Sequence, residues 1–399
     1  MVSWKSLSPI FADVIISPWN LLIGGLIAQN LSFGNAVVAT IVGNFILSLL
    51  ILVYGGLGWR ARVDTSKLIE PVFGYKGAIV FLGSILALGQ IGWFGVIVTI
   101  GGESLSSLMG VSRIVGISIY ACLMVFMASM KLHQMALVKL FIVVSSISLI
   151  GYLLFGTLID NSVYSIIQLH VVSQEKSLFW GVGVAVASLI SFTSVTPDFM
   201  SQARSQSDVL ITTIIGVFLP LSFMSILGIL LFSNQSELSI DLILSASAFP
   251  IFMGHLFNVI TNTDAAIAAY TPGLRLTRIF GITHIEGIVI SSLIGLLLAT
   301  IGIVDKLEIW LGFLAAIYPT IIGLTLATYF VQQRFCSTNS AQDFDYTMIS
   351  IVAVGGLGYF LFDLHLLILT SILFSFVLGI LIQCLRCIRK TNNRRVISE

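Results

Sequence analysis

The stretch ISPWNLLIGG, residues 16–25, interrupts an apolar run that extends from about residue 8 to residue 28. Pro18 has no backbone donor, and Gly24-Gly25 lower the helix propensity of the residues after it, so a helix laid through this stretch breaks near its middle. Five apolar segments later the pattern returns. SLISFTSVTPDF (188–199) passes through Ser191, Thr193, Ser194 and Thr196 to Pro197. Interrupted helices in corresponding positions of two halves are a mark of inverted repeats, with the breaks facing one another near the bilayer centre.

The rest of the chain fits that frame. Of 399 residues, 57% are hydrophobic and only 9% charged, against about 25% charged in a soluble domain. Runs of about 20 apolar residues, each enough to cross roughly 30 Å of hydrocarbon, recur with short polar breaks. Twelve membrane-crossing helices are predicted, at roughly 8–28, 34–56, 77–101, 114–129, 136–158, 177–197, 209–233, 248–271, 284–303, 307–331, 346–362 and 365–385. They are numbered as segments 1 to 12. Of the 19 Lys and Arg, only Arg113, Lys176 and Lys306 fall on the outer side when the N-terminus is inside. That asymmetry predicts a multi-pass protein of the plasma membrane, a bacterial inner membrane, with both termini cytoplasmic. The expected organisation is a first repeat over 1–158, a second over 159–331, and helices 11–12 with a basic cytoplasmic tail over 332–399. The start of the chain has no cleavable signal pattern.

Segment 8 holds the most expensive residues. FNVITNTDAAIAAY (257–270) carries Asn258, Thr261, Asn262, Thr263 and Asp264 inside an apolar helix. An aspartate at mid-membrane costs about 2.5–3.5 kcal/mol on insertion scales, so such groups persist where something uses them. In an inverted-repeat bundle, segment 8 lies beside the break in segment 1. Carbonyls freed around 18–22, at Trp19 and Leu22 among them, together with Thr261, Asn262 or Thr263, then form an oxygen site for a small hard cation such as sodium. Asp264 is the alternative, as a proton carrier. It is expected to lack a deep counter-charge, since Lys139 is placed at the inner end of segment 5. An ion pair or a hydrogen bond to segment 1 or 3 is the structural alternative. Asp13 is a second titrating group or an interfacial residue. Asp198 is expected to act as a lock at the inner end of segment 6, with Arg204 nearby.

Gln90 and Trp93, in LGQIGWFGV (88–96), share a helix face. A carboxamide matches the donor–acceptor edge of an amide or amidine, and an indole offers a surface for stacking a planar ring. Packing of Trp93 and a bond from Gln90 to a neighbouring helix is the alternative. The histidines have no metal-binding spacing, and neither G-x-x-x-x-G-K-[ST] nor G-x-S-x-G occurs. No enzyme activity, catalytic residue, metal, cofactor or nucleic-acid partner is expected. The four cysteines are too scattered for a disulfide framework, and Cys336, Cys384 and Cys387 are placed on the cytoplasmic side, where thiols stay reduced.

QIGWFGV (90–96), TPDF (196–199), NVITNTDAA (258–266) and FLAAIYPTIIG (313–323) resemble, in order and spacing, the nucleobase:cation symporters of the NCS1 type, and within them the cytosine permeases. The resemblance implies an all-α fold of twelve transmembrane helices, a LeuT-type 5+5 inverted repeat with helices 1 and 6 broken and two C-terminal helices added. It implies import of a nucleobase, cytosine or a related pyrimidine, by symport with sodium or a proton. Trp93 would be one stacking wall, Gln90 would bond the base edge, Ser188 would reach it from segment 6, and Thr261 and Asn262 would lie at the cation and substrate segment. Two positions depart from the family pattern. Leu189 stands where an aromatic is usual, and Phe192 where a small residue is common. Either Phe192 supplies the second ring from the next turn, or the ligand stacks on one side only. Another planar heterocycle (hydroxymethylpyrimidine, purine or hydantoin) is the alternative substrate, and a channel or receptor the alternative class.

Overall fold

The computed structural model describes residues 1–160, 176–232, 251–335, 342–361 and 367–398. Among these, six helices are each long and apolar enough to cross a bilayer: Phe33–Ala61, Gly77–Met109, Leu132–Tyr152, Gln206–Phe232, Ile309–Arg334 and Ile368–Arg389. Three pairs pass the same test only together. Trp4–Ile15 and Pro18–Asn30 meet at 54°, Leu178–Ala187 and Ile190–Met200 at 40°, and Ile251–Phe280 and His284–Thr300 at 114°. The first two pairs are segments 1 and 6, interrupted as predicted. The third is a turn between segments 8 and 9. Arg113–Ala128 and Tyr346–Leu357 are shorter apolar helices, at the places of segments 4 and 11.

Packing repeats in the way a 5+5 inversion demands. The outer half of segment 1 packs on segment 7, and the outer half of segment 6 packs on segment 2. Segment 3 packs on segments 4 and 9, and segment 8 on segments 9 and 4. Exchanging 1 with 6, 2 with 7, 3 with 8 and 4 with 9 maps each contact onto its counterpart. The side chains that make these contacts are Ile, Leu, Val, Phe and Ala, with small residues where helices come closest, the usual means of association where lipid removes the hydrophobic drive.

Two local expectations need correcting. Gly24-Gly25 do not weaken the helix after Pro18, which runs intact to Asn30. Gly24 is small for another reason: a Cβ there would stand 1.9 Å from the Ser225 carbonyl oxygen of segment 7. Pro197 does not break segment 6 either, because it lies inside the continuous helix Ile190–Met200. Cys122 and Cys384 are free thiols, whereas Cys387 is disulfide-bonded, against the expectation of reduced cytoplasmic cysteines. Cys336, His170 and His365 lie outside the described residues.

The end of the bundle that carries the N-terminus is tied to the link between segments 6 and 7. Val2 donates its N–H to the Gln202 carbonyl at 2.8 Å, and Arg204 N–H donates to the Val2 carbonyl at 2.8 Å. Trp4 N–H reaches Asp208 Oδ1 at 2.8 Å. The positive-charge count in the sequence expects this end to be the inner one.

Candidate functional site between the broken helices

The break in segment 1 follows from its sequence. Val14 would receive its helical hydrogen bond from residue 18, a proline without an N–H. Ser17 turns to extended geometry (φ −130°, ψ 155°), and its N–H goes to the Ile15 carbonyl at 2.8 Å. Asn20 Nδ2 donates to the same oxygen at 2.7 Å. The carbonyls of Asp13 and Val14 are thereby left without their usual helical donors. The break in segment 6 is made without proline. Ser188 closes the outer half, with its hydroxyl donating back to the Ala185 carbonyl at 2.8 Å, and Leu189 leaves helical geometry (φ −131°, ψ 25°).

Segment 8 adds a third interruption, beyond the two expected from sequence. Ile251–Thr261 and Ala265–Phe280 are separate helices, and 262–264 form turns between them. Polar side chains crowded into one stretch compete with the helical ladder for backbone groups, which is why the polar stretch and the turn coincide.

Beside these breaks Trp19, Leu22, Trp93, Ser188 and Leu189 are only half-buried, although the helices around them are covered. The Trp93 indole meets that of Trp19 edge-on, ring centroids 6.2 Å apart, and its Nε1 donates to Ser191 Oγ at 3.3 Å. Phe192 is placed differently from the suggested second wall. Its ring packs edge-on against Phe11 at 5.3 Å and is almost fully covered. The aromatic that faces Trp93 is Trp19. Gln90 is buried and hydrogen-bonded to the Tyr318 hydroxyl of segment 10, so in this conformation its carboxamide bridges helices. A Cβ at Gly92 would lie 2.1 Å from the Trp310 ring, so this glycine admits segment 10 close against segment 3.

Segments 1 and 8 carry buried polar atoms without partners near their breaks in sequence: Trp19 Nε1, Asn258 Oδ1, Asn262 Oδ1 and Asp264 Oδ1. An orphaned buried donor or acceptor costs about 1–3 kcal/mol, and several in one place mark a site built for something else to satisfy. Thr261 Oγ1 donates to the Phe257 carbonyl at 2.7 Å, and Asn262 Nδ2 to the Asn258 carbonyl at 2.8 Å. Thr263 Oγ1 donates to Asp13 Oδ1 at 2.7 Å.

The charges are arranged differently from expectation. Lys139 is not at the inner end of segment 5 but fully buried. Its ammonium pairs with Asp13 Oδ2 and donates to the Thr263 carbonyl at 2.5 Å. Asp264 thus has a deep cation for a neighbour after all. Asp198 is a lock, but its partner is Arg275 of segment 8, at 2.8 Å, and not Arg204. Asp198 Oδ1 also accepts the Thr65 N–H at 3.0 Å. Lys139 sits on a stripe of buried residues (Met135, Ala136, Val143, Ser146, Ile150), a helical spacing visible in the sequence that would have placed it inside. A groove of about 710 Å³ lies elsewhere, on the exposed side of segments 2, 7 and 10 near Leu52, Leu210 and Phe330, with none of these groups in its wall.

A helical bundle of two inverted five-helix repeats with helices 1 and 6 broken has the LeuT-type fold. The chain belongs to the family described as permeases for cytosine/purines, uracil, thiamine and allantoin, whose model matches residues 3–347. It is similar to the cytosine permease of Escherichia coli strain K12, 26% identical over 340 residues that cover 83% of this chain and 80% of that one. Its fold is similar to that of Mhp1, a nucleobase-cation-symport-1 family transporter, in a closed conformation with bromovinylhydantoin bound: TM-score 0.83, 16% identity, 97% of this chain and 93% of that one. For Mhp1 in its inward-facing conformation the TM-score is 0.78 at 16% identity, over 98% and 92%.

Proposed function

We propose that the protein imports a planar nucleobase of the cytosine class, coupled to a cation gradient, by alternating access. One observation carries the reading: the half-buried Trp93–Trp19 pair beside the breaks in segments 1 and 6, with the Trp19 N–H unpartnered, and unpartnered Asn258 and Asn262 oxygens on segment 8. An indole surface takes a flat ring, and a mixed set of donors and acceptors suits the edge of an aminopyrimidine. Ser188 and Leu189 close the pocket from segment 6, and Gln90 reaches the base edge if its bond to Tyr318 is exchanged. Cation and base each favour the same closed state, which is what couples them. The family name and the permease of Escherichia coli support the substrate class. The expected setting is the plasma membrane, with both termini in the cytoplasm.

Equilibrium binding to the purified protein tests this. Cytosine is expected to bind, uracil, hypoxanthine, hydantoin and phenylalanine to bind more weakly, and Trp93→Ala to weaken cytosine by at least tenfold, about 1.4 kcal/mol. Binding of phenylalanine but of no base would sink the reading. Preference for hydantoin or a purine would move the substrate within the planar heterocycles and keep the site.

A further inference from the structure

A free cation is expected from the sequence between residues 18–22 of segment 1 and Thr261–Thr263 of segment 8, and beside Thr263 the structure places a cation that belongs to the chain. Lys139 Nζ is bound by Asp13 Oδ2 and by the Thr263 carbonyl oxygen at 2.5 Å. Asp13 Oδ1 accepts the Thr263 hydroxyl at 2.7 Å. These three groups come from both sides of the interface that closes around the break in segment 1, and all are buried. Two of the side chains expected to ligate sodium are committed: Thr263 gives its carbonyl to the ammonium and its hydroxyl to Asp13, and Thr261 Oγ1 bonds Phe257 within its own helix, while Asn262 Oδ1 and Asp264 Oδ1 keep no partner. A sodium ion added here would face a fixed positive charge at short range and find Asp13 already neutralised. The residues do not fit it.

We propose that the Lys139 ammonium is the resident cation of this seat, and that the protein closes segment 1 against segment 8 without sodium bound there. The lysine supplies from segment 5 the bridge between the two breaks that a diffusible ion would otherwise supply. Its other charged or titratable neighbours are Asp264, on the same turn as Thr263, and Tyr120 of segment 4, whose hydroxyl donates to the Val259 carbonyl at 2.8 Å. Asp264 keeps one oxygen unpartnered, and the Lys139 ammonium close by already offers that carboxylate a positive charge. The inference deepens the reading of a cation-coupled transporter, by excluding sodium at this seat as the coupling ion.

The test needs no transported substrate. Purified full-length protein is melted in sodium chloride and in choline chloride at equal ionic strength, and direct binding of radioactive sodium is measured alongside. The wild type is expected to melt at the same temperature in both salts and to bind no sodium saturably. Lys139→Ala removes the ammonium and leaves Asp13, the Thr263 hydroxyl and the Thr263 carbonyl as an open oxygen site. This variant is expected to be stabilised by sodium over choline and to bind it saturably. Sodium-specific stabilisation or saturable sodium binding in the wild type overturns the proposal. So does a folded Lys139→Ala variant that takes no sodium. Should that variant not fold, the wild-type measurements decide alone. A wild type that binds no base fails the proposed function and leaves this test intact.

Discussion

Two buried ion pairs hold the moving helices, and they are built to opposite standards. In the pair at the junction of segments 1, 5 and 8, both Asp13 oxygens are bonded and the Lys139 ammonium has two acceptors. In the pair nearer the inner end, Asp198 is similarly served by Arg275 and the Thr65 N–H, but Arg275 is not. Its Nη1 bonds Asp198 and the Thr271 carbonyl, while Nε and Nη2 have no partner. A cavity of about 280 Å³, lined by Asp198, Tyr270, Asp64 and Arg278, runs up to the second pair. A fully buried pair in which each charged atom has a partner is costly to separate. An undersatisfied one beside a cavity can exchange its partner for water. Under the proposed alternating access, the first pair is a fixture and the second a latch at the end of the bundle that carries the N-terminus.

The largest expected effect comes from breaking the fixture. Lys139→Met leaves Asp13 buried without its counter-charge, a change that costs about 3–5 kcal/mol where measured for buried pairs. Thermal denaturation in choline should show that loss, and Asp13→Asn added to Lys139→Met should recover most of it. A Lys139→Met protein as stable as the wild type would remove the difference between the two pairs.

Arg275→Gln breaks the latch in the same chemical sense, and its cost should be smaller. Water from the cavity reaches Asp198, and the Thr65 N–H still holds one oxygen, so the loss should be near that of one charged hydrogen bond, about 1.5–3 kcal/mol. The more telling readout is conformational. With Ser201→Cys as a reporter at the inner end, Arg275→Gln should speed alkylation from the inner side by about tenfold, equivalent to 1.4 kcal/mol. Unchanged labelling would mean that the pair has no part in closing the exit.

The sequence discloses the breaks better than it discloses these charges. Pro18 acts locally, by removing a donor, and its consequence needs no partner to be known. The polar run 258–264 is likewise legible, because its cost in lipid applies wherever the helix stands. The burial of Lys139 and Arg275 is hidden from the sequence for the opposite reason. The positive-inside count treats each basic residue near a segment end as exposed, and burial of a cation depends on an aspartate 126 residues away for Lys139 and 77 away for Arg275. The register of the surrounding buried residues holds the missing information for Lys139. In the sequence Trp19 is legible only as a source of backbone oxygen in segment 1, and that its ring meets Trp93 depends on the 54° bend, an angle that no spacing states.

The smallest effect should come from the rim of the latch, where Arg278 Nε donates to Asp64 Oδ2 at 2.9 Å. These side chains are 29% and 15% exposed, so water screens the pair, and its separation should cost no more than about 0.2–1 kcal/mol. Asp64 has a second duty that must be kept apart from the first: its Oδ1 accepts the Lys67 N–H and caps the short helix Thr65–Leu68. Asp64→Asn retains an N-cap acceptor and removes the charge, so it isolates the pair. The expected outcome is a melting temperature close to that of the wild type and alkylation of the Ser201→Cys reporter raised less than threefold. Labelling as fast as in Arg275→Gln would shift the latch outward, from the buried arginine to the exposed one, and with it the reason for Arg275 to be buried half-paired.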